Sequence, residues 1–343
     1  MSVRTAVIGG GAMGKGHLNA LGRVANAEVV ALVDPDPSTL ESVAAEHGVP
    51  AAYGDYQAML QAEKPEYVVV ASPALYHAEH SIAAFEAGAN VLCEKPLCMN
   101  LAEAEAIVEA GKKSGNLFTM GFQMRQNRFY RALRNFIAAG KLGEVYHTRV
   151  WGGHLMAYPW GRFHHRREYS FGGVLGATVI HILDAALWVL GMPEPVTVSA
   201  STNCRIGKMP DPPIHFEGQI SEVNVEDFGH AHVRFADGSS MSIEGSWLTH
   251  PGNRVTGFEV NGTLGVAKDS GPVELEERAK IVPTELDLEP ETKNQYAAAH
   301  EEFIKAIQEN GEPLVSYRDA LIVFRLLVGI YESAEQEREV DLG

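Results

Sequence analysis

Cysteine is scarce in this chain: of 343 residues, only Cys93, Cys98 and Cys204 carry thiols. An odd, sparse set excludes a disulfide framework and fits a reducing compartment. Cys93 and Cys98 are also too far apart for a C-x-x-C redox pair. Basic residues are few, with Lys+Arg at 28 against Asp+Glu at 44, a net charge of −16. That balance repels phosphate backbones and anionic lipid, so neither nucleic acid nor a membrane surface is an expected partner. No apolar run approaches the roughly 18 residues needed to span a bilayer. The first apolar segment runs straight into a glycine turn, which reads as a first strand and not a secretion signal. A cytoplasmic protein is expected. Gly-x-Ser-x-Gly is missing, leaving no support for a hydrolase elbow. The histidines lack the spacing with cysteines or carboxylates that zinc requires, so no metal site is expected.

What is present begins at the N-terminus. Ala6-Val7-Ile8 forms an apolar strand core, followed by Gly9-Gly10-Gly11-Ala12-Met13-Gly14. Gly9, Gly11 and Gly14 fit G-x-G-x-x-G, and each position has a reason. Gly9 allows a tight turn, Gly11 lets a pyrophosphate approach the main chain, and Gly14 lets the next helix pack on the strand. The helix N-terminus, with Ala12 and Met13, then faces that pyrophosphate with N–H groups and partial positive charge. The next strand, Glu28–Val33, ends in Asp34, about 20 residues on, where a carboxylate takes the ribose hydroxyls of NAD. Asp34 is followed by Pro35 and Asp36 with no basic residue nearby, which favours NAD over NADP.

At this length, with 45% hydrophobic residues, two domains are expected. Strand and helix alternate through about Phe122: Pro37 opens a helix closed by Gly48, and Asp55 caps a short helix ended by Lys64-Pro65. Tyr67–Ala71 is a doubly covered strand broken at Ser72-Pro73, and Asn90–Cys93 is a strand running into Glu94-Lys95-Pro96. Asn100 with Glu103 starts another helix, and Leu117–Phe122 supplies a last strand. This predicts an α/β doubly wound parallel sheet over residues 1–123, with ligands at the carboxyl ends of its strands. Residues 124–343 predict an α+β domain with an open, mainly antiparallel sheet. It would contain a helix over Asn127–Ala139, an apolar helix from about Leu175 to Leu190, period-two strands, and a hairpin turning at Asn261-Gly262. Pro210–Glu226 reads as a long loop, and the helical stretches Lys293–Gln308 and Tyr317–Glu335 are expected to pack back on the first domain.

Among residues that could do chemistry, Lys95 follows a strand end and precedes a proline that stiffens the turn. Its ammonium could bond a substrate oxygen and, with a pKa lowered by burial, pass a proton near neutral pH. A surface lysine in a loop fits the same residue. His181, with Asp184 one turn on, suits a general base that removes a hydroxyl proton. A packed histidine with a neighbouring partner is the alternative, and Asp184, a candidate substrate contact, could simply orient the ring or cap a structural network. His154, Arg162, His164, His165, Arg166 and Tyr169 crowd one loop, which suits a hydroxyl-rich or anionic ligand or, equally, a solvated loop. Ser72, Pro73, His77 and Glu94 are expected near the cofactor, and Gln123 near the substrate.

Gly9-x-Gly11-x-x-Gly14-x-x-His17, Ser72-Pro73 with His77, Glu94-Lys95-Pro96, Gly121-Phe122 and Gly172-Gly173…His181-x-x-Asp184 together resemble the Gfo/Idh/MocA oxidoreductase family, essentially end to end. The resemblance implies a Rossmann domain, a C-terminal sheet whose face makes a homodimer or homotetramer, and NAD(P)-dependent oxidation or reduction of a carbinol on sugars, inositols and related polyols. Carried across by motif, Lys95 would be the catalytic lysine and His181 the catalytic histidine. One departure stands out: the family's aspartate four residues before the histidine is here Ala177. A loop residue such as Tyr169 or His164 could fill that gap. Alternatively, bound NAD could transiently oxidise a sugar so that a glycosidic bond is cleaved by elimination, or the protein could sense a sugar without turning it over. Retention of Lys95 and His181 argues against the sensor.

Overall fold

The computed structural model of the chain describes residues 2–153, 163–205, 208–210, 222–247, 256–277, 280–291 and 294–343. The chain divides into two compact units, Met1–Gln123 with Thr292–Leu321, and Met124–Glu291 with Ile322–Gly343.

In the first unit strand and helix alternate: β1 (Val3–Ile8), α1 (Ala12–Leu21), β2 (Ala27–Val33), α2 (Pro37–His47), β3 (Ala51–Tyr53), α3 (Tyr56–Glu63), β4 (Tyr67–Val70), α4 (His77–Glu86), β5 (Asn90–Cys93), α5 (Leu101–Ser114) and β6 (Phe118–Met120). The strands form one sheet in the order β3-β2-β1-β4-β5-β6, with every pairing parallel. This is the doubly wound Rossmann topology. Local chemistry sets the helix ends. Asp36 accepts the Ser38 N–H ahead of Pro37, and Gly48 closes α2 in the left-handed conformation at φ 63°. Asn100 caps α5 by accepting the Glu103 N–H at 2.9 Å, and the Glu103 carboxylate reaches back to the Met99 N–H at 2.9 Å. β4 is buried along its whole length, as its unbroken apolar sequence requires when helices cover both sheet faces.

The second unit holds α6 (Arg128–Ala138), β7 (Val145–Gly153), α7 (Arg167–Ser170), a π-helical turn at Val174–Val179, α8 (Ile180–Val189), β8 (Pro195–Asn203), β9 (Phe228–Phe235), β10 (Ser240–Ser246), β11 (Gly257–Gly262), β12 (Gly265–Lys268), β13 (Val273–Glu277) and β14 (Lys280–Thr284). Next, α9 (Gln295–Glu309) lies in the first unit, α10 (Tyr317–Gln336) begins there and ends in the second, and β15 (Val340–Asp341) closes the chain. Within the first unit α9 packs on α1, placing Ala297, Phe303 and Ile304 in one core with Val7, Leu18, Leu32 and Val69.

The second sheet runs β14-β13-β12-β11-β7-β10-β9-β8-β15. It is antiparallel except for the parallel pair β7–β10. Its strands alternate: Ala231, Val233, Met241 and Ile243 are buried, while His230, Arg234 and Glu244 point to solvent. The hairpin differs from expectation. Gly262 pairs with Gly265, so the turn is Thr263-Leu264 and not Asn261-Gly262. Gly262 is needed for close approach instead, since a Cβ there would lie 2.2 Å from the Leu142 carbonyl oxygen. The apolar stretch also differs: Arg167–Val189 is long and apolar enough to cross a bilayer, yet 83% of its most apolar window is buried inside the protein. Its apolarity is that of a core helix.

Candidate active site

In the first unit the glycine turn is built as a cradle. Gly9 leaves β1 at φ +108°, and a Cβ there would sit 2.6 Å from the Ala71 carbonyl oxygen; at Gly14 it would sit 1.8 Å from that of Gly9. At Gly11 a Cβ meets nothing within 4 Å, so the space above the turn is open, as a pyrophosphate requires. Gly11 caps α1 with no side-chain bond, and no acidic residue lies in the first turn with Ala12 and Met13. The field of the helix end therefore stays positive toward an anion.

Asp34 is fixed at the carboxyl end of β2. Its Oδ2 accepts the Gly10 N–H at 2.8 Å and its Oδ1 the Asp36 N–H at 2.9 Å. Beyond β4, Ser72 Oγ lies 3.0 Å from His80 Nδ1, and Pro73 caps a short 3-10 turn at Ala74–Tyr76.

Lys95 follows β5, is half-buried, and forms a cis peptide with Pro96. Burial lowers its ammonium below the ordinary lysine value, and the Glu94 carboxylate pulls it part-way back. Glu94 itself is buried. Its Oε2 accepts the Lys95 main-chain N–H at 3.1 Å, and its Oε1 lies 2.9 Å from His17 Nε2. Gly121 makes room for this carboxylate, because a Cβ there would lie 2.6 Å from Oε1. Burial pushes the Tyr296 phenol up in pKa, and Gln123 works against that shift. His77 is buried, with Nδ1 2.7 Å from the Pro96 carbonyl oxygen and Nε2 2.8 Å from that of Ser72. The ring sits between the two loops, and burial, which lowers its pKa, favours a neutral ring that donates to one of the two carbonyls.

In the second unit the π-helical turn carries Ala177 and leads into α8, with His181 half-buried near its start. The turn hangs from Glu226: its Oε2 accepts the Gly173 N–H at 2.7 Å, and its Oε1 accepts Leu175 N–H at 2.9 Å and the Tyr331 hydroxyl at 2.8 Å. Burial pushes the Glu226 carboxyl up, against these donors. The Gly172-Gly173 pair is steric: Cβ atoms there would lie 2.0 Å from the Tyr331 hydroxyl and 1.9 Å from the Glu226 carbonyl oxygen. Tyr169 lies under the Arg166 guanidinium at 4.5 Å and beside Phe163 at 5.0 Å, with His164 in the same short segment. Asp184 is fully buried and grips Arg125, with Nη2 2.6 Å from Oδ1 and Nε 3.0 Å from Oδ2. That pairing ties the carboxylate into a structural network inside this unit. His154 and Arg162 lie outside the described residues.

The predicted residues thus fall into two groups, one per unit: the glycine turn, Asp34, Ser72, Pro73, His77, Glu94, Lys95 and Gln123 in the first, and His164, Tyr169, His181 and Asp184 in the second. Sequence reasoning missed Arg125, Glu226, Tyr331, Tyr67 and His300, whose partners are distant in the chain and leave no local pattern. Among the described residues, no group of three or more metal-ligating side chains occurs.

Two family models divide the chain. The oxidoreductase family with NAD-binding Rossmann fold (Gfo/Idh/MocA) matches residues 3–122, and the Gfo/Idh/MocA C-terminal domain matches residues 130–268. The chain belongs to the Gfo/Idh/MocA oxidoreductase family. Among its relatives in that family, D-glucoside 3-dehydrogenase of Escherichia coli K12 is 29% identical over 99% of this chain and 97% of its own. Inositol 2-dehydrogenase of Rhizobium meliloti is 27% identical over 100% of both. The structure of a levoglucosan dehydrogenase in complex with NADH superposes with a TM-score of 0.88 at 23% identity, covering 100% of both chains; at that identity it speaks for the fold. As a Gfo/Idh/MocA oxidoreductase the protein carries an NAD-binding Rossmann domain, and the cradle at Gly9–Gly14 with Asp34 fits that dinucleotide.

Proposed function

We propose that this oxidoreductase uses NAD to oxidise or reduce a carbinol carbon of a sugar, sugar derivative or polyol such as an inositol. The open space at Gly11 beside the fixed carboxylate of Asp34 carries the cofactor side of this reading, and the glucoside and inositol dehydrogenases among its relatives support the substrate side. NAD, when bound, supplies a nicotinamide that takes up or gives back a hydride. Asp34 receives the ribose hydroxyls and repels a 2′-phosphate. Lys95, its ammonium lowered by burial, stabilises the substrate oxygen, and His181 accepts the hydroxyl proton. Tyr169 and His164 contribute polar contacts in place of the acid that Ala177 cannot provide.

The residues after 123 supply the substrate-binding part. The exposed face of its sheet, with Arg149, His230, Arg234 and Glu244, is the surface through which a homodimer or homotetramer forms. A cytoplasmic setting fits an acidic chain with only three cysteines. The test is a screen of sugars, glycosides and inositols with NAD, following NADH and released sugar together. Stoichiometric NADH with one of them supports the dehydrogenase. Sugar release without NADH supports cleavage through transient oxidation, the reaction that the loss of the acid at Ala177 leaves open. Binding with no turnover contradicts both.

A further inference from the structure

Four buried side chains of the first unit form an unbroken row ending beside Lys95. Tyr67 Oη lies 2.8 Å from His300 Nδ1, His300 Nε2 lies 3.0 Å from His17 Nδ1, and His17 Nε2 lies 2.9 Å from Glu94 Oε1. Tyr67, His17, His300 and Glu94 are all at or below 3% exposure, so water does not supply alternative partners. The last member then dictates the proton order of the rest. A carboxylate only accepts, so His17 Nε2 carries hydrogen; a neutral ring then has a bare Nδ1, which accepts from His300 Nε2–H; His300 Nδ1 is bare in turn and accepts from the Tyr67 hydroxyl. Burial holds His300 well below the ordinary histidine value, in keeping with a neutral ring. The opposite order requires one more proton on the pair, either on Glu94 or on His17 as an imidazolium, because a neutral His17 cannot donate from both ring nitrogens.

We propose that Tyr67, His300 and His17 form a one-way chain of hydrogen-bond donors that keeps Glu94 a fixed carboxylate beneath Lys95, which makes all three positioning residues for that lysine. The socket is shaped for a carboxylate in this place: Gly121 leaves the room that Oε1 needs, and the Lys95 main-chain N–H holds Oε2. The donor order matters because the Glu94 charge is what raises the Lys95 ammonium against burial. Breaking the chain at its far end, three bonds from Glu94, removes the donor that fixes this order and lets the rings invert, which adds a proton to the His17–Glu94 pair. Lys95 would then lose the net negative charge beside it and release its own proton at lower pH. Among the described residues, the other ionisable groups facing the row include Tyr296, edge-on to His17 at 5.6 Å, Glu302 toward Tyr67, and His77 and the Cys93 thiol toward Glu94; none of them is altered when the Tyr67 hydroxyl alone is removed.

The inference rests on reading Lys95 as the proton-handling residue, and its test needs no substrate. In protein labelled with ¹⁵N-histidine, the rings of His17 and His300 are assigned with the variants His17→Gln and His300→Gln. Both should carry hydrogen on Nε2 and none on Nδ1. In Tyr67→Phe, which keeps the ring and removes one oxygen, the His17 signals should change although the lost hydroxyl touches only His300. In the same variant, the pH midpoint for acylation of Lys95, read by mass spectrometry of its peptide, should fall relative to the unaltered protein, as it should in Glu94→Gln. Hydrogen on Nδ1 of His17 in the unaltered protein overturns the proposal. So do unchanged His17 signals in Tyr67→Phe, or a Lys95 midpoint unmoved by it, since the row would then be packing alone. A failed carbohydrate screen with the expected tautomers and midpoints would sink the proposed reaction and leave the chain standing.

Discussion

Arg125 and Asp184 meet in a fully buried, two-pronged ion pair, both side chains at 0% exposure with Nη2 2.6 Å from Oδ1. Such a pair is weak evidence for stability against an apolar replacement, but breaking it from one side is costly. Asp184→Ala leaves the guanidinium charged among Trp188 and Met192. It should lose about 3–5 kcal/mol in urea unfolding, whereas the double replacement Arg125→Met with Asp184→Leu should lose much less. Equal losses would mean that packing, and not charge, governs the site.

Lys95→Ala should cut the turnover rate by about 10²–10⁴-fold while leaving NADH affinity, measured by fluorescence quenching, within about threefold. The ammonium acts on the reacting oxygen, and the dinucleotide is held by the glycine turn and Asp34. A matched loss of affinity would assign Lys95 to cofactor binding instead.

Asp34→Asn keeps the shape of the side chain and removes the charge that repels a 2′-phosphate. It should narrow the ratio of NADH to NADPH affinity by about tenfold, the equivalent of about 1.4 kcal/mol. Titration of both cofactors against both proteins checks this. An unchanged ratio would mean that another residue excludes the phosphate.

Acid stability follows from buried histidines. Burial lowers His80 to about 4 and His300 well below the ordinary value. The unfolded chain therefore takes protons that the folded chain refuses, and stability present above about pH 6.5 is lost as pH falls. For His80 that loss runs from about 6.5 down to about 4. Glu226, raised by burial, opposes it over the interval in which the folded carboxyl protonates first. Thermal unfolding against pH should slope downward below about 6.5, and His80→Asn should flatten that slope. A flat profile in the unaltered protein would contradict the burial of these rings as neutral groups.

Much of the fold was legible because its signals are local. Gly9–Gly14, Asp36-Pro37 and the Asn100–Glu103 box each act within a few residues, and β4 announces a doubly covered strand by composition alone. The placement of Lys95 and Asp34 was legible for the same reason, each lying one or two residues past a readable strand. What was illegible depends on partners far along the chain. Asp184 leaves a substrate contact, a ring-orienting role and a structural one open in the sequence, and Arg125, the partner that ties it into the fold, lies 59 positions away; the carbonyls that His77 meets likewise belong to loops the local pattern does not bring together. Asn261-Gly262 reads as a turn because nothing in the sequence says that Leu142 passes over Gly262. The strands β13 and β14 are short and polar, so period-two burial does not mark them.

The central claim, that a carbinol hydrogen moves directly to the nicotinamide, is tested most directly by isotope transfer. The best substrate of the carbohydrate screen, carrying deuterium on its oxidised carbon, is turned over with NAD in ordinary water and the NADH is weighed by mass spectrometry. The account predicts NADH heavier by one deuterium and a ketone product in equal amount. Unlabelled NADH, or cleavage products with no NADH, would contradict it.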